Sequence, residues 1–295
     1  MSSAALPLPH ALLGVAIAAV WGSNFVIIRE GLEHLPPLLF AGLRFLLVFL
    51  AALLFLRRPN LAWSELAAYG LFIGVGQFGL LFLAVDGLIS PGLASLVAQT
   101  QVFFTIGLAI YFNGEKVAPI QWLALMLAAS GLIVIGLNND SETTLAGLFL
   151  MLGAALCWAL GNMVARRAGR IDMVAYVGWS SLFAAPPLLL LSLVFEGPNA
   201  ISRGLMEADL GTWGAVIWQA VGNSLFGYAA WAWLLARHPA ALVTPLALLV
   251  PVFGLATSFL WLGEPMPGWK IIAAGLVMAG LALNLFWPMF ANRRS

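Results

Sequence analysis

The chain has 295 residues, of which 62% are apolar and 8% are charged, and its formal net charge is +1. A soluble domain usually carries about 25% charged residues, so the composition excludes a soluble fold, whose surface would lack polar groups. The small net charge offers no basis for nucleic-acid binding. The single cysteine, Cys157, excludes an internal disulfide. The sequence therefore predicts a chain that faces lipid.

Ten segments are long and apolar enough to cross a bilayer as helices, for which about 20 residues are needed. Residues that end helices separate them, such as Pro36-Pro37, Ser90-Pro91 and Glu264-Pro265. The links are short, so consecutive helices are expected to be antiparallel neighbours in an all-α membrane protein. The predicted spans are 10–29, 36–56, 65–85, 91–112, 117–137, 145–165, 173–195, 212–235, 240–262 and 268–290.

Lysine and arginine are distributed unevenly between the links. With the N-terminus in the cytoplasm, the outer side holds only Arg29, Arg203 and Lys270. The cytoplasmic side then holds Arg57, Arg58, Lys116, Arg166, Arg167, Arg170, Arg237, Arg293 and Arg294. Because cytoplasmic links are enriched in basic residues, this bias predicts an even number of spans with both termini in the cytoplasm. No basic residue precedes the first span, which is predicted to be a permanent span and not a cleaved signal.

The two halves of the sequence resemble each other. The segment Phe78–Ala84 is similar to Phe226–Ala232, and the same offset pairs Pro91 with Pro239. One residue further in offset, Gly114-Glu115 pairs with Gly263-Glu264. These ordered matches indicate an internal duplication.

The duplication divides the chain into residues 1–137 and 145–290, with five predicted spans in each half. Because five is odd, the second half must enter the membrane from the opposite side. The result is a pair of inverted five-helix repeats around a central cavity. Inverted repeats are typical of secondary transporters, whose substrate site lies near the middle of the membrane between the repeats.

Uncharged amides and aromatic side chains inside the spans are the candidate substrate contacts, because a dry cavity strengthens each hydrogen bond. Their spacing places members of the same helix on one face. Gln99 and Gln101 are two residues apart, so only one of them is expected to face the cavity. For any single residue, a role in helix packing or in the membrane interface is equally open. The candidates are Trp21, Asn24, Gln77, Gln99, Trp158, Asn162, Tyr228 and Trp231.

Ionisable residues are nearly absent from the predicted spans, and Arg44 is the only clear one. It is expected to pair with Glu30 or Glu33, or to extend outward to the membrane surface. Asp86, Glu115 and Glu264 sit at span ends, where roles in helix termination and packing are favoured. No carboxylate or histidine is predicted at mid-membrane, so the sequence gives no direct support for proton coupling.

Enzyme functions find little support. The three histidines, His10, His34 and His238, lie in links or at span ends. This placement disfavours a serine–histidine pair within the bilayer and a clustered metal site. A phosphate-binding Gly-x-x-x-x-Gly-Lys-Ser/Thr loop is missing from the sequence. No catalytic residue, metal or cofactor is therefore predicted.

Several segments in order resemble the drug/metabolite transporter superfamily, and within it the EamA-type exporters, over nearly the whole chain. Gln99–Thr105 is most similar to O-acetylserine/cysteine exporters, and other close relatives export aromatic and neutral amino acids. The segments that carry the resemblance are Trp21–Phe25, Pro36–Phe45, Gly92–Thr105, Gly114-Glu115, Pro245–Gly254 and Gly263-Glu264.

The resemblance implies a bacterial inner-membrane exporter built from two EamA-type repeats, at 1–137 and 145–290, with spans 5 and 10 at the periphery. Arg44 matches the second-span arginine of the family and is interpreted as a structural or gating residue. Small four-span relatives use a glutamate within their first span for proton coupling. This first span has Asn24 and no acidic residue before Glu30, so both proton-coupled export and facilitated efflux remain open.

The leading hypothesis is export of neutral or aromatic amino acids and related metabolites by alternating access. Uncharged amides with aromatic walls suit a small zwitterion, whereas a phosphate would call for at least two basic residues. The alternative is a multidrug or nucleotide-sugar transporter of the same superfamily, and a passive channel is the rival from another class. The expected partners are the small-molecule substrate and the lipid bilayer, and a pseudo-symmetric ten-span chain is expected to act as a monomer.

Overall fold

The computed structural model describes residues 6–113, 119–138, 143–168, 171–238 and 240–291. Every secondary-structure element in these ranges is helical. Several residues used in the sequence analysis lie outside the described residues; these are Gly114, Glu115, Lys116, Arg170, Pro239, Arg293 and Arg294.

The described ranges contain sixteen α-helices, two π-helical segments and two short 3-10 segments. The π-helical segments are π1 (Gly70–Gly79) and π2 (Trp218–Phe226), and the 3-10 segments are Ser181–Phe183 and Thr244–Leu248. The α-helices are α1 (Leu8–Gly31), α2 (Pro37–Phe55), α3 (Trp63–Tyr69), α4 (Leu80–Val85), α5 (Pro91–Ala98), α6 (Gln101–Asn113), α7 (Pro119–Leu137), α8 (Leu145–Arg167), α9 (Met173–Ser180), α10 (Ala185–Phe195), α11 (Gly197–Glu207), α12 (Leu210–Ile217), α13 (Gly227–Arg237), α14 (Ala240–Val243), α15 (Leu249–Leu262) and α16 (Gly268–Ala291).

Nine helical stretches in the described ranges are long and apolar enough to cross a membrane, which makes the protein a multi-pass membrane protein. The predicted span at 212–235 is not among the nine. Helix is nevertheless continuous there through α12, π2 and α13. This stretch carries Gln219, Asn223 and Ser224, which lower its mean hydropathy.

The irregular parts of the helices recur at corresponding places in the two halves. The offset that pairs Phe78 with Phe226 in the sequence also pairs the first residue of π1 with the first residue of π2. It likewise pairs Gln99 and Thr100, where α5 gives way to α6, with the end of the 3-10 segment Thr244–Leu248. The distortions therefore follow the internal duplication.

Helices α7 and α16 pack mainly on each other. Small residues bring them close together, since a Cβ added at Gly131 would lie 2.9 Å from the Ala273 carbonyl oxygen. A Cβ at Gly280 would lie 2.5 Å from the Ala124 carbonyl oxygen. Close approach through glycine is the usual way for membrane helices to gain packing energy. These two helices are spans 5 and 10 of the sequence analysis.

The link between the predicted spans 173–195 and 212–235 contains a helix, α11. It packs on α10, and its Gly204 lies so close to the turn before α2 that a Cβ would meet the His34 carbonyl oxygen at 2.7 Å. Just before α11, the Glu196 carboxylate accepts hydrogen bonds from the backbone N–H groups of Leu38 and Leu39, at 2.6 and 3.1 Å. A carboxylate is favourable at the positive end of a helix, so Glu196 fixes the start of α2.

Helix α1 lies against α15 with glycine on both sides of the contact. A Cβ at Gly22 would lie 2.5 Å from the Val250 carbonyl oxygen and 2.6 Å from Phe253 Cβ. A Gly22→Ala variant is therefore expected to lose about 1–3 kcal/mol of stability, because the backbone of α15 cannot yield without moving the helix. Thermal unfolding of the purified protein in detergent micelles measures the loss.

Gly275→Ala is the matched control for this substitution. Gly275 lies in α16 with nothing within 4 Å of an added Cβ, and alanine is the better helix former. We therefore expect its unfolding temperature to equal or slightly exceed that of the wild type. Equal unfolding temperatures for the two variants would contradict the close packing of α1 on α15.

Candidate functional site

A cavity of about 330 Å³ lies between helices of both halves of the chain. This volume is within the range of about 300–1,000 Å³ found for small-molecule sites. All the residues that line it in the described ranges are uncharged. They are Trp21, Asn24, Phe25, Tyr69, Gln77, Phe78, Leu81, Ala98, Gln99, Gln101, Trp158, Asn162, Ala165, Met173, Asn223, Tyr228, Trp231, Ala247 and Val250.

The irregular segments contribute much of the lining. Gln77 and Phe78 come from π1, Asn223 comes from π2, and Ala247 comes from a 3-10 segment. Gln99 lies at the turn between α5 and α6. Non-helical backbone within a membrane protein is tolerated where it is buried in protein or lines a cavity, and π-helical turns are frequent at functional sites. The irregular backbone segments and the polar side chains thus lie at the same cavity.

All eight residues singled out from the sequence line this one cavity. Three of them form an aromatic cluster, in which the Trp21 ring centroid lies 5.9 Å from that of Tyr228 and 5.3 Å from that of Trp231. The Trp21 Nε1–H donates to the Asn223 carbonyl oxygen at 3.3 Å, which joins α1 to π2. Aromatic faces of this kind can receive an aromatic side chain or an ammonium group.

Amide side chains form pairs across the cavity wall. The Gln219 Nε2 donates to Asn24 Oδ1 at 2.7 Å, and the Asn162 Nδ2 donates to Gln101 Oε1 at 3.1 Å. The buried Oε1 of Gln77 has no hydrogen-bond partner among the described residues. Unsatisfied polar atoms in a low-dielectric interior are costly, so this acceptor is suited to a ligand donor.

The expectation that only one of Gln99 and Gln101 faces the cavity was wrong, because both line it. The helix is interrupted between them. The N–H groups of Gln99 and Thr100 bond to carbonyl oxygens three residues earlier, at 3.2 and 3.0 Å. Such tighter turns advance about 120° per residue, compared with about 100° in an α-helix, which brings the two side chains closer in direction than a regular helix would.

Arg44 neither pairs with Glu30 or Glu33 nor extends to the membrane surface, and both of those expectations were wrong. Its side chain is completely buried, and its Nη2 donates to Ser224 Oγ at 2.9 Å. The Ser224 hydroxyl in turn donates to the Gln219 carbonyl oxygen at 3.0 Å. A guanidinium can reach π2 from α2 because the two helices are packed side by side.

Comparison with known proteins identifies the family. The sequence profile of the EamA-like transporter family matches residues 8–137 and again residues 145–286. The chain belongs to the EamA-like transporter family. Probable amino-acid metabolite efflux pumps are among the similar proteins. One from Salmonella typhimurium is 40% identical over 93% of this chain and 94% of its own length, and one from Escherichia coli K12 is 37% identical over the same shares.

The fold of this EamA transporter is also found in a solved crystal structure. The two chains share 18% sequence identity and superpose with a TM-score of 0.65, over 97% of this chain and 99% of the other. At that identity the likeness concerns the fold alone. The fold is therefore one already observed by crystallography, and the function must be argued from the family and the cavity.

Besides Gln101, ten lining residues of the EamA transporter were not considered as site candidates, and five of them carry polar, aromatic or sulfur-containing side chains. Asn223 carried a detectable signal, since it is an amide inside a predicted span, whereas the others are apolar or aromatic residues that resemble packing residues in sequence. Only the packing of the helices shows which of them face the cavity. The five are Phe25, Tyr69, Phe78, Asn223 and Met173.

Glu264 forms a deeply buried ion pair with Lys270. The Lys270 Nζ donates to its Oε1 at 2.8 Å, and neither side chain is more than 3% exposed. The hydroxyls of Ser90 and Ser258 also donate to the Glu264 carboxylate, as does the Gly92 N–H at 3.2 Å. Glu264 thus caps the start of α5, in line with a packing role, but Lys270 lies inside the fold and not in an exposed link.

Two aspartates at the same end of the helices are perturbed in opposite directions. The Thr212 N–H and hydroxyl donate to Asp209 Oδ1 at 2.7 and 2.8 Å and lower the pKa of that carboxyl group. Burial raises the pKa of Asp86, and the Arg29 guanidinium 4.0 Å away partly opposes this shift. Asp209 is therefore an ionised helix cap, whereas the Asp86 pair is half exposed and weak.

The histidines do not assemble a metal site. His10 Nδ1 lies 2.7 Å from His238 Nε2, which ties the start of α1 to the end of α13. His34 contacts the Thr212 hydroxyl at 2.9 Å. Across the described ranges, no group of three or more histidine, cysteine, aspartate or glutamate side chains is placed to hold a metal ion.

Proposed function

We propose that this EamA transporter exports neutral or aromatic amino acids and related small metabolites by alternating access. The observation that carries the proposal is the cavity, whose lining combines amides with a tryptophan–tyrosine cluster and contains no charged residue in the described ranges. Amides can donate to a carboxylate and accept from an ammonium group, and the aromatic cluster can hold an apolar side chain.

The similar proteins support amino acids over the alternative substrates. The Salmonella and Escherichia coli relatives carry the name of amino-acid metabolite efflux pumps. A nucleotide sugar would bring phosphate groups, for which a site normally supplies several basic side chains. The lining of this cavity supplies none, so a nucleotide-sugar transporter is not favoured.

We propose ten spans arranged as two inverted five-helix repeats, at residues 1–137 and 145–290. Two separate matches to the family profile support the duplication, and the paired positions of π1 and π2 support it independently. The tenth span would be the continuous helical stretch α12–π2–α13. The uneven distribution of lysine and arginine supports a bacterial inner-membrane location with both termini in the cytoplasm, and the pseudo-symmetric chain is proposed to work as a monomer.

The proposed orientation implies that the cavity faces the cytoplasm. Ala165 and Met173 line it and flank the link that holds Arg166 and Arg167. At the opposite end, the carboxylates of Glu196 and Glu264 hold the starts of α2 and α5. Transport would require these outer contacts to loosen while the cytoplasmic ends approach each other, as expected for a rocking movement between repeats.

Flux in proteoliposomes tests the proposed function. Labelled amino acids that include phenylalanine, leucine and cysteine are tested with and without an imposed pH gradient. We expect their transport to be saturable and to show counterflow. Counterflow distinguishes a carrier from a channel. Saturable flux that ignores the gradient would establish facilitated efflux, whereas proton-driven accumulation would establish coupling. Wild-type flux no greater than in protein-free liposomes would reject amino-acid export.

A further inference from the structure

Arg44 is a buried cation without a counter-ion among the described residues. Its side chain has no exposed surface, and its Nε and Nη1 have no hydrogen-bond partner among the described residues. The ion pairs in the described ranges join Arg29 to Asp86 and Lys270 to Glu264, and neither involves Arg44. A charge inside a membrane protein is costly unless it is paired, so an uncompensated one points to a functional partner.

The guanidinium lies directly behind the cavity wall. Its Cζ sits 3.7 Å from the centroid of the Phe78 ring and 5.0 Å from that of Phe45. Phe78 lines the cavity, whereas Arg44 does not. A ring that lines the cavity is therefore held against the cation by a cation–π contact, which a stronger anionic partner can replace.

The polar contacts of Arg44 also lead to the cavity. Ser224 accepts from Arg44 and donates to the Gln219 carbonyl oxygen. The Gln219 side chain donates to Asn24, which lines the cavity. One turn beyond Ser224, Tyr228 lines the cavity as well. Two guanidinium nitrogens, Nε and Nη1, thus have no partner among the described residues and lie beside a wall made of amides and aromatic rings.

We propose that Arg44 binds the carboxylate of the transported substrate, which reaches it when the Phe78 ring turns aside. The inference rests on the proposed export of amino acids and specifies what the site selects. A free carboxylate is required, because it supplies the negative charge that Arg44 lacks and can accept a charge-assisted hydrogen bond from an unpartnered guanidinium nitrogen. The ammonium end of the substrate would then meet Gln77 Oε1 or the aromatic cluster of Trp21, Tyr228 and Trp231.

Inhibition of phenylalanine flux tests this requirement on the wild-type protein. The flux of labelled L-phenylalanine into proteoliposomes is measured in the presence of unlabelled L-phenylalanine or of L-phenylalaninamide, which lacks the carboxylate. We expect the amide to inhibit roughly 10- to 100-fold more weakly than phenylalanine, the range expected for charge-assisted hydrogen bonds. Equal inhibition by the two compounds would overturn the assignment of Arg44.

Arg44→Gln is expected to reduce this preference for the carboxylate to within about twofold. Its unfolding temperature should equal or exceed that of the wild type, because the variant removes an unpaired buried charge. Arg44→Lys keeps the charge without the planar fork, and an intermediate preference is expected even if the glutamine variant is poorly expressed. Arg58→Gln is the control, because Arg58 stacks on Trp63 outside the cavity, and it should keep the wild-type preference.

The possible failures are distinguishable. A wild-type preference for the carboxylate that survives in Arg44→Gln and Arg44→Lys would overturn the role of Arg44 while leaving amino-acid export intact. A wild-type protein without saturable flux of any amino acid would overturn the proposed function, and the inference with it.

Discussion

Replacing Glu264 by alanine is expected to destabilise the folded transporter by about 3–5 kcal/mol. The substitution leaves the ammonium group of Lys270, now 2.8 Å from Glu264 Oε1, buried without a counter-charge. It also removes the acceptor of the Ser90 and Ser258 hydroxyls and of the Gly92 N–H. Unfolding of the purified protein in mixed detergent micelles, followed by tryptophan fluorescence, measures the change.

Two controls separate the buried charge from other effects of the substitution. The double variant Glu264→Leu, Lys270→Met removes both charges and is expected to recover much of the loss. Arg29→Gln breaks the ion pair to Asp86, whose side chains are 43% and 46% exposed, and should cost about 0–1 kcal/mol. A double variant no more stable than Glu264→Ala would show that packing, and not the unpaired lysine, dominates the effect.

Replacing Trp231 by alanine is expected to reduce amino-acid transport at least about tenfold, measured as the ratio of maximal flux to half-saturation concentration. Trp231 lines the cavity and packs against Trp21, 5.3 Å away between ring centroids. Removing the indole widens the site and deprives a bound side chain of an aromatic contact. The same result is expected for Trp158→Ala, because Trp158 lines the same cavity from α8.

Stability measurements decide whether these tryptophans serve transport or packing. The unfolding temperature of each variant should stay within a few degrees of the wild type, because a cavity wall supports fewer contacts than a filled core. Trp261→Ala is the matched control, since this side chain is 68% exposed and should affect neither transport nor folding. If Trp231→Ala lost folded protein and transport in equal measure, the substrate-binding assignment would fail.

The composition and order of the residues were sufficient to predict a multi-pass helical membrane protein of this family. Hydrophobic length and helix-ending residues act locally, so nine of the ten predicted spans could be located without knowing their neighbours. The segment at 212–235 was predicted by the same criterion but is not among the nine, because Gln219 and Asn223 make it more polar than a typical membrane helix.

The sequence also determined which residue types were available to the cavity. All eight candidates, which are amides and aromatic residues within predicted spans, line one cavity. Helical periodicity placed Trp21 and Asn24, or Trp158 and Asn162, on a common face. It gave the wrong result for Gln101, because periodicity assumes a regular helix and the chain departs from one at Gln99 and Thr100.

Only the tertiary structure decided the partners of the charged residues. Arg44 meets Ser224, which is 180 positions away in the chain, and Glu264 meets Ser90 at a separation of 174. Such pairs depend on which helix faces meet, and that is set by glycine contacts and helix distortions spread over both halves. A sequence shows that an arginine is present within a span, but only the packed helices leave it buried, unpaired and next to the cavity.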